Sequence, residues 1–156
     1  MPDDLYDRDI LACSEHQSAL LRRVARDERL NDVDWDHVVE EIEDVGLSEL
    51  NSVRSYLRQM LVHLLKLYGW ADSTACDHRR LELDGFQTDA SQRFVPSMRQ
   101  RIDVTELYRR ACKQLVARRM DNRLPRPFPD HCPFTLDDLL EGDLQELEAR
   151  LTAACA

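Results

Sequence analysis

Glycine, isoleucine and proline are all scarce in this 156-residue chain. It has four glycines and three isoleucines, and its six prolines all lie outside residues 3–95. Scarce glycine and isoleucine argue against a turn-rich sheet protein, and a long stretch without proline permits long helices. Leucine, by contrast, occurs 23 times. Because leucine is a strong helix former, the composition predicts an all-α fold.

Long apolar runs and paired cysteines are also missing. The longest apolar stretch, residues 60–68, is interrupted by His63 and Lys66 and falls well short of the ~20 residues that span a membrane. The first residues lack a basic region followed by an apolar one, so we expect no signal peptide. Five cysteines, an odd number without a Cys-x-x-Cys pair, are typical of free thiols. We therefore expect a cytoplasmic protein without membrane contact.

Charged residues make up 33% of the chain, and acidic ones outnumber basic ones by 30 to 21. The resulting net charge of −9 argues against nonspecific nucleic-acid binding. A hydrophobic share of 43% over this length is enough to build one core, which excludes intrinsic disorder. We expect a single domain over residues 1–156.

Apolar residues recur at three- and four-residue steps in five segments, a spacing that predicts amphipathic helices. The segments are 7–27, 34–45, 48–68, 74–95 and 103–120. The apolar stripe keeps its phase across Gly46, so we expect the second and third segments to form one continuous or kinked helix. Gly69 is well placed to end it.

Four prolines between residues 122 and 133 predict an extended strap. Beyond it, helix-start patterns at Thr135 and Asp143 predict short helices within residues 134–156. The sequence therefore predicts an all-α bundle of four to five main helices, a proline-rich strap and short C-terminal helices.

Four stretches of the chain carry a family pattern in order. They are residues 4–9 with 15–22, residues 35–49 around an acidic Trp-Asp-His-Val-Val-Glu-Glu-Ile-Glu-Asp run, residues 58–66, and residues 128–140. These stretches resemble domain of unknown function family 29, whose members are mostly bacterial. The resemblance implies a helical fold and no known activity.

The most acidic stretch lies between Leu30 and Val53, with eight carboxylates and no lysine or arginine. Carboxylates and imidazoles at helical spacing can bind a divalent metal in a helical bundle. The candidate ligands are His37, Glu40, Glu41, Asp44 and His63. The pattern matches such motifs loosely, since His37 precedes the glutamates, and a solvated acidic face is the alternative interpretation.

Two polar residues fall where the helical period calls for apolar ones. Gln17 lies in the middle of the first apolar stripe, and Glu49 continues the stripe of a helix that runs through Gly46. A buried carboxylate requires a partner, so we interpret both as candidates for a buried polar lock that fixes the helix register. A general base or a metal ligand is the alternative interpretation. Glu49 and His63 are 14 residues apart, or about 21 Å along one helix, and cannot share a small site.

Basic residues are concentrated in segment 99–126, which has nine basic and three acidic residues. Few aromatic residues interleave it, so stacking on bases is poorly supported and we do not expect nucleic-acid binding.

These patterns favour a small helical interaction module without catalysis, which binds an unknown protein partner or a second copy of itself. Trp70 and the tail leucines Leu144, Leu147 and Leu151 could supply its contact surface. The tail stripe is equally able to pack on this chain itself. The alternative is an enzyme, such as a hydrolase, that uses a divalent metal held by the acidic segment. No cofactor is predicted apart from that metal.

Overall fold

The computed structural model describes residues 5, 8–26 and 35–154. Its helices are α1 (Ile10–Ala25), α2 (Trp35–Gly69), α3 (Cys76–Arg93), a 3₁₀ helix (Pro96–Arg101), α4 (Val104–Leu115), α5 (Leu136–Glu141) and α6 (Leu144–Ala153). Over these residues the only extended pairing is an isolated bridge between Met120 and Arg123. The prediction of an all-α fold is confirmed. None of the described helices combines the length and the apolarity that a membrane crossing needs.

The chain divides into two compact units. The first unit comprises Met1–Ser52 and Phe94–Arg101, and the second comprises Val53–Arg93 and Ile102–Ala156. The single domain over residues 1–156 stays a prediction.

In the first unit, α1 packs closely against the first half of α2. Leu11, Ser14 and Gly46 are all buried. A side chain on Gly46 would overlap the Ser14 hydroxyl and approach the Leu11 Cα to 3.2 Å. The bare glycine therefore lets the two helices touch at their backbones, and α2 continues through it as the stripe predicted.

Asp9 joins the start of α1 to the 3₁₀ helix of the same unit. Its carboxylate accepts the amide of Ala12 at 2.9 Å, the hydroxyl of Ser97 at 2.6 Å and the amide of Ser97 at 3.0 Å. Burial raises the pKa of this carboxyl, but the hydrogen bonds outweigh burial and the pKa is lowered. Asp9 thus caps α1 and fixes a 3₁₀ turn that we did not predict.

The second unit is built around the second half of α2. Residues 60–65 are buried on every side of the helix, including His63. Leu83 of α3, Leu115 of α4 and Leu151 of α6 are fully buried in the same unit. The tail residues therefore belong to this chain's own core.

The structure corrects the expected contact surface at Trp70 and the tail. Trp70 is buried and donates its indole N–H to the carbonyl of Arg123 at 2.9 Å. Leu147 and Leu151 are also buried, and Leu144 is half-buried. Their large apolar side chains gain more by completing the core than they would at the surface.

Helix α4 is shorter than predicted and ends at Leu115 instead of Met120. Asp121 and Asn122 adopt positive φ angles of 51° and 61°, which a right-handed helix does not allow. Met120 and Arg123 then exchange backbone hydrogen bonds of 3.0 and 2.9 Å, which closes a tight two-residue turn.

The strap then runs back over the second unit. The amide of Arg126 donates to the carbonyl of Gly69 at 3.1 Å, and the buried Tyr108 hydroxyl donates to the carbonyl of Pro129 at 2.8 Å. These two bonds tie the strap to the end of α2 and to α4.

Candidate functional site

Chemically distinctive side chains collect in the second unit, between the end of α2 and the start of α3. We call His63, Lys66, His78, Arg79 and Glu82 the α2–α3 polar cluster. His63 and Lys66 are three residues apart, as are Arg79 and Glu82, so each pair lies on one helix face. His63 and Arg79 are buried, Lys66 and Glu82 are half-buried, and His78 is exposed.

The histidines of the cluster converge on one carboxylate. One oxygen of Glu82 lies 3.0 Å from Nε2 of the buried His63, and the other lies 3.5 Å from Nε2 of the exposed His78. Nδ1 of His63 lies 2.8 Å from the carbonyl of Gln59, which can only accept. Both ring nitrogens of His63 therefore lie within hydrogen-bond distance of an oxygen.

Lys66 lies half-buried on the same face of α2. Burial lowers the pKa of its ammonium, and the positive charges of Arg118 and Arg79 lower it further, against a smaller opposite effect of Glu82. Three cations therefore influence one another here. Among the described residues none of the three forms a salt bridge.

Arg79 is the most unusual member of the cluster, because only 5% of it is exposed. Its Nη2 makes long contacts with the Ser73 hydroxyl at 3.5 Å and the Met120 sulfur at 3.8 Å. Its Nη1 is the one buried side-chain nitrogen or oxygen without a partner in the part of the chain described. A buried guanidinium with neutral neighbours is costly and uncommon in proteins.

The second unit has several cavities, and two of them lie next to the cluster or to the strap. One of about 400 Å³ lies beside the cluster and is lined by Ser73, Asp72, Asp121, Arg123 and Arg126, among others. The other, of about 500 Å³, lies between α4 and the strap and contains Cys112 and Cys132. Burial raises the pKa of both thiols, which favours their protonated form.

The predicted metal candidates fall in different places. His37, Glu40, Glu41 and Asp44 are exposed along α2 in the first unit, whereas His63 is buried in the second and bound to Glu82. Across residues 5, 8–26 and 35–154, no group of three or more histidine, cysteine, aspartate or glutamate side chains is placed to hold a metal ion. The metal hypothesis stays a prediction.

Gln17 and Glu49, the candidates for a buried polar lock, both lie half-buried in the first unit, on α1 and α2. Their role as a lock stays a prediction as well.

An apolar ridge runs along α2 in the first unit. Val38 and Val45, which the period placed on a core-facing stripe, are 37% and 52% exposed, and Ile42 between them is half-buried. Val39, one residue further round the helix, is buried. The helix is therefore turned so that one edge of its apolar stripe faces outwards. We call Val38, Ile42 and Val45 the α2 ridge.

Three basic residues of segment 99–126 form ion pairs within their own units. Arg109 and Arg110 both donate to Glu106, at 2.8 and 2.6 Å, and they lower the pKa of this carboxyl to about 2. Arg101 pairs with Glu15 in the first unit. The expectation that this segment does not bind nucleic acid stays a prediction.

The family model of the domain of unknown function DUF29 matches residues 5–145. The chain belongs to the DUF29 family. A crystal structure of an α-helical protein of unknown function from Rhodospirillum rubrum is similar to this DUF29 protein, with 28% identity and a TM-score of 0.82. The match covers 94% of this chain and 96% of that one.

Among curated proteins no significant match was found. The family and the structural neighbour are both of unknown function, and neither indicates catalysis. The function of this DUF29 protein has to be inferred from its own surfaces.

Our sequence reasoning missed most of the α2–α3 polar cluster. It selected His63, which flanks the apolar stripe of α2, but not Lys66, Arg79 or Glu82. Helix α3 has almost no amphipathic pattern, so nothing in its sequence marks Arg79 as buried. The one available signal was Lys66, a cation within a run of buried apolar residues.

Proposed function

We propose that this DUF29 protein is a cytoplasmic bacterial interaction module that binds a protein partner through the α2 ridge and performs no catalysis. The observation that carries the proposal is the exposure of Val38 and Val45 on one side of a long helix. Single exposed apolar residues are common on protein surfaces, but a continuous apolar edge on a helix is typical of a binding face.

The charges beside the ridge favour a particular kind of partner. Glu41 and Asp44 are exposed on the same stretch of helix, and Glu49 lies half-buried one turn beyond Val45. An apolar edge bordered by carboxylates complements a helix whose apolar stripe is bordered by lysine or arginine. Such charges speed association and make it sensitive to salt.

The partner can be identified by photo-crosslinking in the native bacterium. A benzophenone amino acid replaces Val45 in one variant and Leu81 in a matched control. Leu81 is an apolar residue of α3 that is 74% exposed and lies outside the ridge. We expect one dominant crosslinked protein with the variant at position 45, and we expect that protein to be absent from the crosslinks at position 81. Equal crosslinks at both positions would contradict the proposal.

The captured partner is then purified and its affinity measured by calorimetry. Val45→Lys should weaken binding at least about tenfold, because it places a charge in the apolar contact, whereas Leu81→Lys should leave the Kd unchanged. If the captured protein is a second copy of this chain, sedimentation should show a dimer that Val45→Lys dissociates. An unchanged Kd in Val45→Lys would refute the ridge as the binding face.

A further inference from the structure

The second unit holds an uncompensated positive charge in its interior. Arg79 is 95% buried, its Nη1 has no partner and its Nη2 reaches only a hydroxyl and a thioether. A buried charge is strongly destabilising unless something pairs with it. Within the described residues no carboxylate does so, since Arg79 is absent from every salt bridge between them.

The neighbouring charges add to this surplus. Lys66 lies close enough to Arg79 and Arg118 for both to lower the pKa of its ammonium. The carboxylate of Glu82 is nearby, but its two oxygens face His63 and His78. Three cations are therefore set against one carboxylate that already has two partners.

A cavity adjoins the cluster at Ser73. Ser73, whose hydroxyl faces Nη2 of Arg79, also lines the cavity of about 400 Å³. Two carboxylates and two guanidiniums line that cavity, namely Asp72, Asp121, Arg123 and Arg126. The cavity lining is thus close to neutral, and the surplus positive charge comes from the cluster behind Ser73.

We propose that Arg79, Lys66 and the Ser73 hydroxyl form a binding site for the phosphoryl group of a small phosphorylated molecule. The guanidinium, the ammonium and the hydroxyl can all donate hydrogen bonds to phosphate oxygens, and the first two also supply positive charge. The adjoining cavity has room for the organic part of such a molecule. The site is independent of the α2 ridge, which lies in the other unit.

The test uses inorganic phosphate as the probe and the full chain. Thermal unfolding is followed while sodium phosphate is titrated at constant ionic strength, and the Kd is measured by calorimetry. We expect saturable stabilisation by phosphate that chloride and acetate do not reproduce. Equal stabilisation by acetate, or none by phosphate, would overturn the assignment.

Two arginine variants make the test specific. Arg79→Met should weaken phosphate binding about 10- to 100-fold. Without phosphate it should unfold at the same temperature as the wild type or higher, because an apolar chain replaces an unpaired buried charge. Arg80→Met is the matched control, since Arg80 is exposed on the same helix and its guanidinium is paired with Glu148 at 3.0 Å. Equal phosphate affinity in both variants would refute the site.

If Arg79→Met does not fold, Lys66→Gln carries the test, because Lys66 is only half-buried and tolerates replacement more easily. It should also weaken phosphate binding by about tenfold or more. Wild-type affinity in a folded Lys66→Gln protein would contradict the proposal.

Discussion

Gly46 allows the sharpest test of how the first unit is packed. In most helices a glycine-to-alanine change stabilises, since alanine has the better helix propensity by about 1 kcal/mol. Here a Cβ at position 46 would overlap the Ser14 hydroxyl, lie 2.9 Å from Leu11 Cδ1 and lie 3.2 Å from Leu11 Cα. A side-chain methyl can rotate away, but a Cα moves only if the whole of α1 moves. We therefore expect Gly46→Ala to destabilise the protein.

The magnitude follows from two opposing effects. Overpacking a close contact costs about 1–3 kcal/mol. Rotating the Ser14 hydroxyl aside would also break its 3.1 Å hydrogen bond to the carbonyl of Leu11, which is worth about 1 kcal/mol. After the gain in helix propensity, a net loss of about 1–3 kcal/mol in the free energy of unfolding remains.

Urea unfolding followed by circular dichroism measures this loss, and Gly85 supplies the control. Gly85 lies exposed within α3, and a Cβ there would meet nothing within 4 Å. Gly85→Ala should therefore stabilise by up to about 1 kcal/mol. The double variant Gly46→Ala with Ser14→Ala should recover part of the loss. If Gly46→Ala proved as stable as the wild type, the close helix contact would be refuted.

Two further predictions concern the strap and the short helices. Tyr108→Phe should lower the free energy of unfolding by about 1–3 kcal/mol, because it leaves the buried carbonyl of Pro129 without its hydrogen-bond donor. Limited proteolysis should then show faster cleavage within residues 122–133. Unchanged cleavage would contradict this role of Tyr108. Hydrogen bonds from Thr135 and a salt bridge to Arg150 hold the pKa of Asp138 below its ordinary 3.8. The unfolded chain therefore binds more protons there, and stability falls as the pH drops below 3.8. In Asp138→Asn the melting temperature should fall less steeply than in the wild type as the pH drops below that value. The same pH dependence in both proteins would count against the pairing.

The helix starts were predictable because the signals that make them are local. Thr135 and Asp138 form the reciprocal capping box expected three residues apart, and Asp143 caps α6 through the amides of Gln145 and Glu146. Asp103 likewise accepts the amide of Glu106, although the Glu106 carboxylate turns instead to Arg109. The ends were harder, since α4 stops at Leu115 and neither glycine nor proline follows within residues 116–124 to mark that end.

The direction in which each stripe points was less predictable. The period correctly placed Val53, Leu57 and Leu64 in the core. It placed Val38 and Val45 there too, and both are exposed. A period states which residues share a face, but what covers that face depends on distant parts of the chain.

The sequence by itself determined that this is an all-helical DUF29 protein with a proline-rich strap, because helix propensity, capping and apolar period act between residues a few positions apart. Only the tertiary structure decided which polar groups meet. Arg79, Lys66 and Glu82 come from two helices, and Ser73 and Met120 from the loops beside them. Their burial and unbalanced charge follow from how these segments pack, a property that no stretch of sequence contains alone.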